Sequence, residues 1–266
     1  MIRRPPRSTP SNSSAASDVY KRQMKLVLND ARLLKEPISI ISELVNEVKL
    51  KFLKDKIELV AMDPANISMV IFQLFASALQ QYEASDEEIV ISLDNLKNIL
   101  KRAKPNDQLV MELQDNKLKI QLKGESIRNF DLSLLDLSVA DQKVPELKFN
   151  VKVKTNTALL NEAIEDASVI SDALCFAVKD GKFFVDTEGN FSKANIELAS
   201  ETFVESSVQE ARAKYAIEYL KKIAKGAKLA DSVTLQFDTD YPLRVDYEVK
   251  DKLLLAFLLA PRVSNE

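Results

Sequence analysis

The sequence contains no histidine and no tryptophan, and it has one cysteine and four glycines among 266 residues. Without histidine the usual general base is missing, and a lone Cys175 supports neither a disulfide framework nor a Cys/His zinc site. The phosphate-binding motifs GxxxxGK(S/T) and GxGxxG and the nucleophile motif GxSxG are also absent. We therefore expect no catalytic residue, no metal site and no cofactor.

Long apolar runs are missing as well. No stretch reaches the roughly 18 apolar residues that a membrane-spanning helix needs. A single cysteine is typical of proteins from reducing compartments. We therefore expect a cytoplasmic protein that has no membrane partner.

The first 23 residues differ in composition from the rest of the chain. They are rich in Arg, Pro and Ser, and Met24 then begins an alternating, strand-like run. We interpret residues 1–23 as a non-native or disordered leader and exclude them from fold prediction. The alternative interpretation is a basic arm that binds nucleic acid. Because this segment holds five Arg or Lys and one acid, the remaining chain is more acidic than the net charge of −3 of the whole.

The remaining chain repeats itself at a spacing of 124 residues. The segment 96–113 recurs as 220–237, with matching apolar positions and a matching row of lysines. Earlier pairs such as Leu50 and Leu174 keep the same spacing. A repeat of this size predicts two similar domains rather than a short-period solenoid.

The lysines of both copies lie at i, i+4 and i+7, which places them on one face of a helix. In the first copy the opposite face is apolar and can pack on a sheet. One such row is usually a solvated helix surface, but two rows in register within an acidic chain predict a cation stripe for a polyanion. The cations predicted to bind the polyanion come from 97–104 and from the predicted helix at 214–226 with the residues just after it: Lys97, Lys101, Arg102, Lys104, Lys214, Lys221, Lys222, Lys225 and Lys228.

Periodicity predicts a few short helices and many strands. Helical patterns occupy roughly 33–47, 94–104, 157–168 and 214–226, with Pro37 in the opening turn of the first. Period-two strands lie between them. This order, repeated twice, predicts an α+β fold with helices on one face of antiparallel sheets. The expected domains are an N-terminal domain at 24–134, a connector at 135–147 and a C-terminal domain at 148–266.

Several longer stretches resemble one protein family. They are AMDPANI at 61–67, LKNILKRAKPND at 96–107, VPEL at 144–147, EDASVISDALCF at 165–176, YPL at 241–243 and FLLAPRV at 257–263. Together they are similar to the DNA polymerase sliding clamps of the proliferating cell nuclear antigen type, in their archaeal form. The resemblance implies a closed ring of three two-domain chains around duplex DNA, used in replication and repair.

The resemblance also implies that the helices line the central hole. Lys35 of the first helix would then join the stripe. The chain departs from many clamps in its third helix, which carries Glu162, Glu165 and Asp166 but no cation. The positive charge would therefore rest mainly on the second and fourth helices.

A second site follows from the resemblance alone. Clients of clamps insert a short motif with one aliphatic and two aromatic anchors into a pocket beneath the connector, and the expected clients are DNA polymerase, clamp loader, flap endonuclease and DNA ligase. An apolar pocket beside an extended connector suits such a peptide. The matching positions are Met62, Asn66, Ile67, Met69, Val144, Pro145, Pro242, Leu258, Ala260 and Pro261.

Two predicted strands, 128–134 and 194–200, are candidates for the contact between subunits. A free sheet edge exposes unpaired backbone groups and promotes aggregation. In a closed head-to-tail ring, the first-domain edge of each subunit pairs with the second-domain edge of the next, so neither edge stays free. The resemblance implies this same pairing. The residues assigned to the contact are Phe130, Leu132, Leu134, Ile196 and Leu198.

Three alternatives stay open at this point. The chain could be one of several paralogous subunits of a heterotrimeric ring, or a checkpoint-type clamp. The third alternative belongs to a different class, a nuclease that uses carboxylates and a metal ion to cleave DNA.

Overall fold

A computed structural model describes residues 24–114 and 116–262, so the predicted leader at 1–23 lies outside the described residues. The first half contains β1 (Met24–Leu28), α1 (Arg32–Ile41), β2 (Glu47–Phe52), β3 (Lys56–Met62), β4 (Ser68–Phe75), β5 (Gln81–Glu83), β6 (Glu87–Ser92), α2 (Leu93–Leu100), β7 (Gln108–Gln114), β8 (Lys117–Lys123) and β9 (Ile127–Ser133). A 3₁₀ turn spans Ala76–Ala78.

The second half contains β10 (Val151–Asn156), α3 (Thr157–Ser168), β11 (Ala173–Lys179), β12 (Lys182–Glu188), β13 (Lys193–Glu197), β14 (Phe203–Ser206), β15 (Glu210–Ala216), α4 (Ile217–Ala224), a 3₁₀ turn (Lys225–Lys228), β16 (Ser232–Phe237), β17 (Leu243–Val249) and β18 (Leu253–Leu259). Both halves have the same order, namely one strand, a helix, five strands, a helix and three strands. This confirms the duplication that the 124-residue spacing predicts.

The prediction for the first helix is wrong at its end. The helix stops at Ile41 rather than at residue 47, and Pro37 lies inside it instead of in its opening turn. Leu34, Ile38 and Ile41 are buried as the periodicity predicts, and Val45 is buried too, but in the turn that leads into β2. Because Val45 is buried beyond the end of the helix, the helical periodicity in the sequence continues past Ile41. By contrast, α3 spans 157–168 as predicted, and the side chain of Asn156 caps it by accepting from the Ala158 N–H at 2.8 Å.

The second and fourth helices are shorter than predicted. The helix predicted at 94–104 ends at Leu100, and the one predicted at 214–226 begins only at Ile217. Residues 214–216 instead belong to β15, in which buried Ala213 and Tyr215 alternate with exposed Arg212 and Lys214. This alternation has the period of a strand.

All strand pairs within the described residues are antiparallel, and they form three sheets. The orders are β5-β1-β7-β8-β9, β14-β10-β16-β17-β18-β4-β3-β2-β6 and β13-β12-β11-β15. The nine-stranded sheet crosses from one half to the other because β18 pairs with β4, from Leu253 opposite Leu74 to Leu259 opposite Ser68. The sequence patterns do not predict this junction.

The two faces of the sheets are covered differently. The helices form one layer, in which α1 packs on α2, α3 packs on α4, and α1 meets the 225–228 turn. Their buried side chains share one core with the sheets. On the opposite face of the β4–β18 ladder a small apolar cluster contains Met69, Ile71, Ala256 and Leu258, and Leu147 packs against it. The helices thus lie on one face, as predicted.

The predicted connector runs over that opposite face. Residues 135–147 contain no helix or strand. Leu135 donates its N–H to the Val90 carbonyl at 2.8 Å, and Lys49 and Lys51 both bind Asp141, at 3.0 and 2.9 Å. The predicted domain limits at residues 134 and 147 stay predictions. Among the described helices, each is too short or too polar to cross a membrane.

Candidate nucleic-acid interface and client pocket

The first lysine row lies on α2 and on the turn that follows it. Leu93, Leu96 and Leu100 are fully buried beneath the helix. Lys97 lies 4.0 Å from Asp94, and Lys104 binds Glu125 at 2.9 Å. Within residues 24–114 and 116–262, no ion pair engages Lys101 or Arg102.

A buried carboxylate supports this turn. Asp107, whose side chain is 3 % exposed, accepts the Lys104 N–H at 2.7 Å and binds the guanidinium of Arg128 on β9. Arg128 also donates to the Arg102 carbonyl at 2.8 Å. The hydrogen bond from the Lys104 backbone, with that from Arg128, lowers the pKa of Asp107. A Cβ on Gly124 would collide with this carboxylate, which explains why glycine occupies that position.

The second lysine row lies on α4 and its 3₁₀ extension. Ile217, Leu220 and Ile223 are buried, which turns the lysines outward. Each of three lysines meets an acid: Lys221 binds Glu165 of α3 at 2.8 Å, Lys222 binds Glu218 at 2.7 Å, and Lys225 binds Glu43 after α1 at 2.7 Å. Lys228 ends the extension. The acids of α3 and of the turn after α1 therefore neutralise part of this row.

Two further predicted cations lie elsewhere. Lys35 joins the helix layer, since its ammonium donates to the Ala103 carbonyl at 3.3 Å. Lys214 does not lie on a helix. It is exposed on β15, on the face of the sheet that points away from the core, because the neighbouring Ala213 and Tyr215 point inward. The prediction of a helix that begins at residue 214 is therefore wrong, and the assignment of Lys214 to DNA binding stays a prediction.

The residues predicted for the client pocket gather around the junction between the halves. Met62 and Met69 are opposite each other in the β3–β4 hairpin, and Leu258 is opposite Met69 on β18. The connecting turn carries Asn66, which has a positive φ of 56°, and Ile67, which is 38 % exposed. The remaining positions are exposed or half-exposed and lie in the connector, just before β17 and in the C-terminal tail: Val144, Pro145, Pro242, Ala260 and Pro261.

One backbone contact joins the pocket turn to the C-terminal tail. Ala260 donates its N–H to the Ile67 carbonyl at 2.9 Å. The apolar cluster of Met69 and Leu258 lies beneath, and Leu147 of the connector packs on it. Met62 and Ile67 thus offer partly exposed apolar surface at this turn, and Val144 is 39 % exposed on the connector.

The two predicted contact strands lie at free sheet edges of the single chain. β9 ends the five-stranded sheet, and β13 ends the four-stranded sheet. Leu132 and Leu198 are each only 6 % exposed and belong to the core of their own chain. Phe130, Leu134 and Ile196 are half-buried against the same core. At the five predicted positions these edges therefore offer backbone groups rather than exposed apolar side chains.

Comparison with known proteins identifies the family. The model of the proliferating cell nuclear antigen N-terminal domain matches residues 23–143, and that of the C-terminal domain matches residues 143–262. The chain belongs to the proliferating cell nuclear antigen family. The DNA polymerase sliding clamp of Nanoarchaeum equitans is 37 % identical over 247 residues, covering 90 % of this chain and 99 % of the relative. That of Thermococcus gammatolerans is 36 % identical over 246 residues, with coverage of 91 % and 99 %.

Solved structures agree with this family. The crystal structure of a proliferating cell nuclear antigen from Thermococcus kodakaraensis superimposes with a TM-score of 0.85 at 28 % identity, covering 90 % of this chain and all of that one. The prediction of an α+β sliding-clamp fold with two similar domains is thereby confirmed.

Sequence reasoning missed several residues of this clamp. Glu43 is the carboxylate that engages Lys225, and no spacing in the sequence pairs the two residues. Asp107 and Arg128 support the first lysine row from two separate segments. Tyr219 reaches the pocket turn from α4. The stretches that resemble the family include Asp107 at their end, but no pattern pairs it with Arg128.

Proposed function

We propose that this protein acts as a homotrimeric ring that encircles duplex DNA, tethers DNA polymerase and gives it processivity, without catalysing a reaction itself. Membership in the sliding-clamp family along both halves carries this proposal. The lysine rows on α2 and α4 support it, because they lie at equivalent positions of the two halves and within one helix layer.

Ring closure follows from the two free edges. If β9 of one copy pairs with β13 of the next, backbone groups at both edges gain partners. Exposed apolar side chains lie at both places. Ile127 begins β9 and is 65 % exposed, while Val169 and Phe191 are 86 % and 102 % exposed near β13. The turn at Gly189 packs against Ile170, so Val169 and Phe191 lie at one corner of the four-stranded sheet. Such side chains favour burial against another copy.

Sliding requires weak contacts that ignore sequence. Lysine ammonium groups are compact, hydrated charges on flexible stems, so they attract phosphates without reading base edges. Their attraction weakens as salt rises. Retention on DNA then depends on the closed ring rather than on affinity, and the acidic remainder of the chain disfavours adhesion of DNA to the outside.

Clients bind, in this proposal, at the junction of the two halves. Met62, Ile67 and Val144, which are partly exposed, can take the apolar anchors of a peptide. The connector forms no strand at 135–147, so its backbone can supply main-chain hydrogen bonds to the peptide. Polymerase, clamp loader, flap endonuclease and DNA ligase are the proposed partners. The clamp loader would supply the ATP-driven opening of the ring.

Primer extension tests the proposal. With an archaeal polymerase and clamp loader, residues 24–266 should lengthen the products on a primed circular template. A short linear template with free ends is the control, since a ring slides off it and stimulation should be lost. Equal stimulation on both templates would contradict encirclement. Light scattering of the lone chain should give the mass of a trimer, and a monomer at micromolar concentration would favour an obligate heterotrimer.

A further inference from the structure

One carboxylate organises the turn that carries Asn66 and Ile67. Asp63 is 5 % exposed, and its Oδ1 accepts the N–H groups of Ile67 at 2.7 Å and of Ser68 at 2.6 Å. Its Oδ2 accepts the Ala65 N–H at the longer distance of 3.2 Å. Burial raises the pKa of Asp63, but these hydrogen bonds and one from Tyr219 outweigh it, so the pKa is lowered overall. The carboxylate is thus ionised and defines the shape of the turn.

The remaining donor to this carboxylate comes from the other half of the molecule. Tyr219, on the third position of α4, donates its hydroxyl to Asp63 Oδ2 at 2.9 Å. Burial, together with Asp63, raises the pKa of Tyr219 to about 12, so the hydroxyl keeps its proton at neutral pH. The ammonium of Lys222 lies 5.3 Å from the centre of the same ring. One side chain therefore contacts both the lysine row of α4 and the pocket turn.

We propose that Tyr219 is a positioning residue for the client pocket, holding the Asp63–Ser68 turn in place from the helix that carries the second lysine row. This inference rests on the proposed function, because it assumes that the pocket takes a client peptide. Tyr219 itself does not belong to the predicted pocket, and its hydroxyl is occupied by Asp63.

The geometry explains why the hydroxyl matters. Without it, Oδ2 keeps only the 3.2 Å hydrogen bond from Ala65, so the carboxylate is free to rotate about its bond to Cβ. Rotation would disturb the two short bonds from Ile67 and Ser68 to Oδ1. Asn66 holds a left-handed conformation that the turn must stabilise. A looser turn would present Ile67 in several orientations, and an ordered peptide would then bind more weakly.

The test compares two tyrosine-to-phenylalanine variants of the full ring. Tyr219→Phe removes the hydroxyl and keeps the ring. Tyr82→Phe is the matched control, since Tyr82 donates to the Leu53 and Lys56 carbonyls, at 2.7 and 3.0 Å, away from the pocket. The probe is a synthetic peptide with one aliphatic and two aromatic anchors, titrated by calorimetry. We expect Tyr219→Phe to bind roughly tenfold more weakly, as for the loss of a hydrogen bond to a charged group, and Tyr82→Phe to bind like the parent.

Amide hydrogen exchange separates positioning from general stability. In Tyr219→Phe the amides of residues 65–68 should exchange faster, while the trimer mass and the protection of the β4–β18 ladder stay unchanged. A variant that keeps full peptide affinity, or that loses protection throughout the chain, would overturn the inference. If the parent protein itself fails to bind the peptide, the proposed client pocket is wrong and the role of Tyr219 falls with it.

Discussion

The two lysine rows occupy equivalent positions in the repeat but are supported in different ways. The α2 row is followed by a turn that a buried Asp107 holds through Lys104 and Arg128, and its Lys101 is left without an ion pair among the described residues. The residue 124 positions later, Asp231, is exposed. The α4 row continues into a 3₁₀ turn. Glu165 of α3 engages Lys221, and Glu43 in the turn after α1 engages Lys225. The repeat therefore keeps the lysines at equivalent positions, but the two rows differ in how many of their lysines are free of ion pairs within the chain.

The largest expected effect is the loss of the proposed trimer when the contact between copies, at β9 and β13, is disrupted. Val169→Asp combined with Phe191→Asp should convert the trimer to monomers, because each aspartate would be buried without a partner in the contact. Both side chains are exposed in the single chain, so the monomer should stay folded. Sedimentation measures the mass. Leu137→Asp, at a 48 % exposed position of the connector, is the control and should leave the trimer intact.

The supports of the two rows can be compared directly by stability. Asp107→Asn should lower the free energy of unfolding by about 2 kcal/mol, since it breaks a buried hydrogen-bonded pair, whereas Asp231→Asn should change it by less than about 0.5 kcal/mol. Because the pKa of Asp107 is lowered in the folded chain, its contribution is fully present above the unfolded pKa of about 4 and is lost progressively as the pH falls from there through the lower pKa of the folded chain. Denaturant unfolding at pH 7 and pH 3 measures both effects. If both variants lost the same free energy of unfolding, Asp107 would not support its row differently from Asp231.

The ion pairing of the lysines predicts a difference between the two rows in DNA binding, and this effect should be smaller than the one on stability. Lys101→Gln should reduce the slope of log affinity against log salt by about 0.9 for each lysine that contacts a phosphate. Lys225→Gln should reduce it less, because Glu43 already neutralises that ammonium. Titration of linear duplex at several salt concentrations gives the slopes. Identical slopes for the two variants would mean that DNA displaces Glu43 without cost.

The smallest effect should come from the acids themselves. Glu43→Gln with Glu165→Gln frees Lys225 and Lys221, and we expect duplex affinity at low salt to rise about twofold, in keeping with the small worth of exposed ion pairs. Glu205→Gln with Glu210→Gln is the matched control, because these two acids lie on strands and bind Lys152 at 3.4 Å and Lys179 at 3.1 Å. A rise in affinity of the same size in this control would attribute the change to net charge alone.

Sequence periodicity predicted a helix correctly where the residues flanking it do not continue its pattern. Helix α3 is found at 157–168 as predicted, because an Asn cap begins it and its apolar face ends with it. The predicted end of α1 is wrong because Val45 is buried outside the helix. The predicted start of α4 is wrong because cations on the exposed face of β15 resemble a helical row. The pairing of β4 with β18 was not predictable, since both are nearly continuous apolar runs that specify no partner.

The candidate site also contains residues that the sequence predicted and residues that it did not. Spacing alone predicted the lysines of α2 and α4, and resemblance alone assembled the pocket positions. Neither could find the partners of these residues, because Glu43 meets Lys225 across 182 residues of sequence, and Tyr219 meets Asp63 across 156. Such pairs depend on how helices of different halves come to lie side by side, which no local periodicity encodes.

The β4–β18 ladder has a mechanical consequence. A backbone ladder that runs without a break from Leu253 opposite Leu74 to Leu259 opposite Ser68 resists bending far better than a contact between separate domains. Each chain should therefore behave as one stiff arc. In a ring of three such arcs, a force that pulls the circle apart would concentrate its strain at the seams between chains, and the break would occur there in preference to a hinge within a chain.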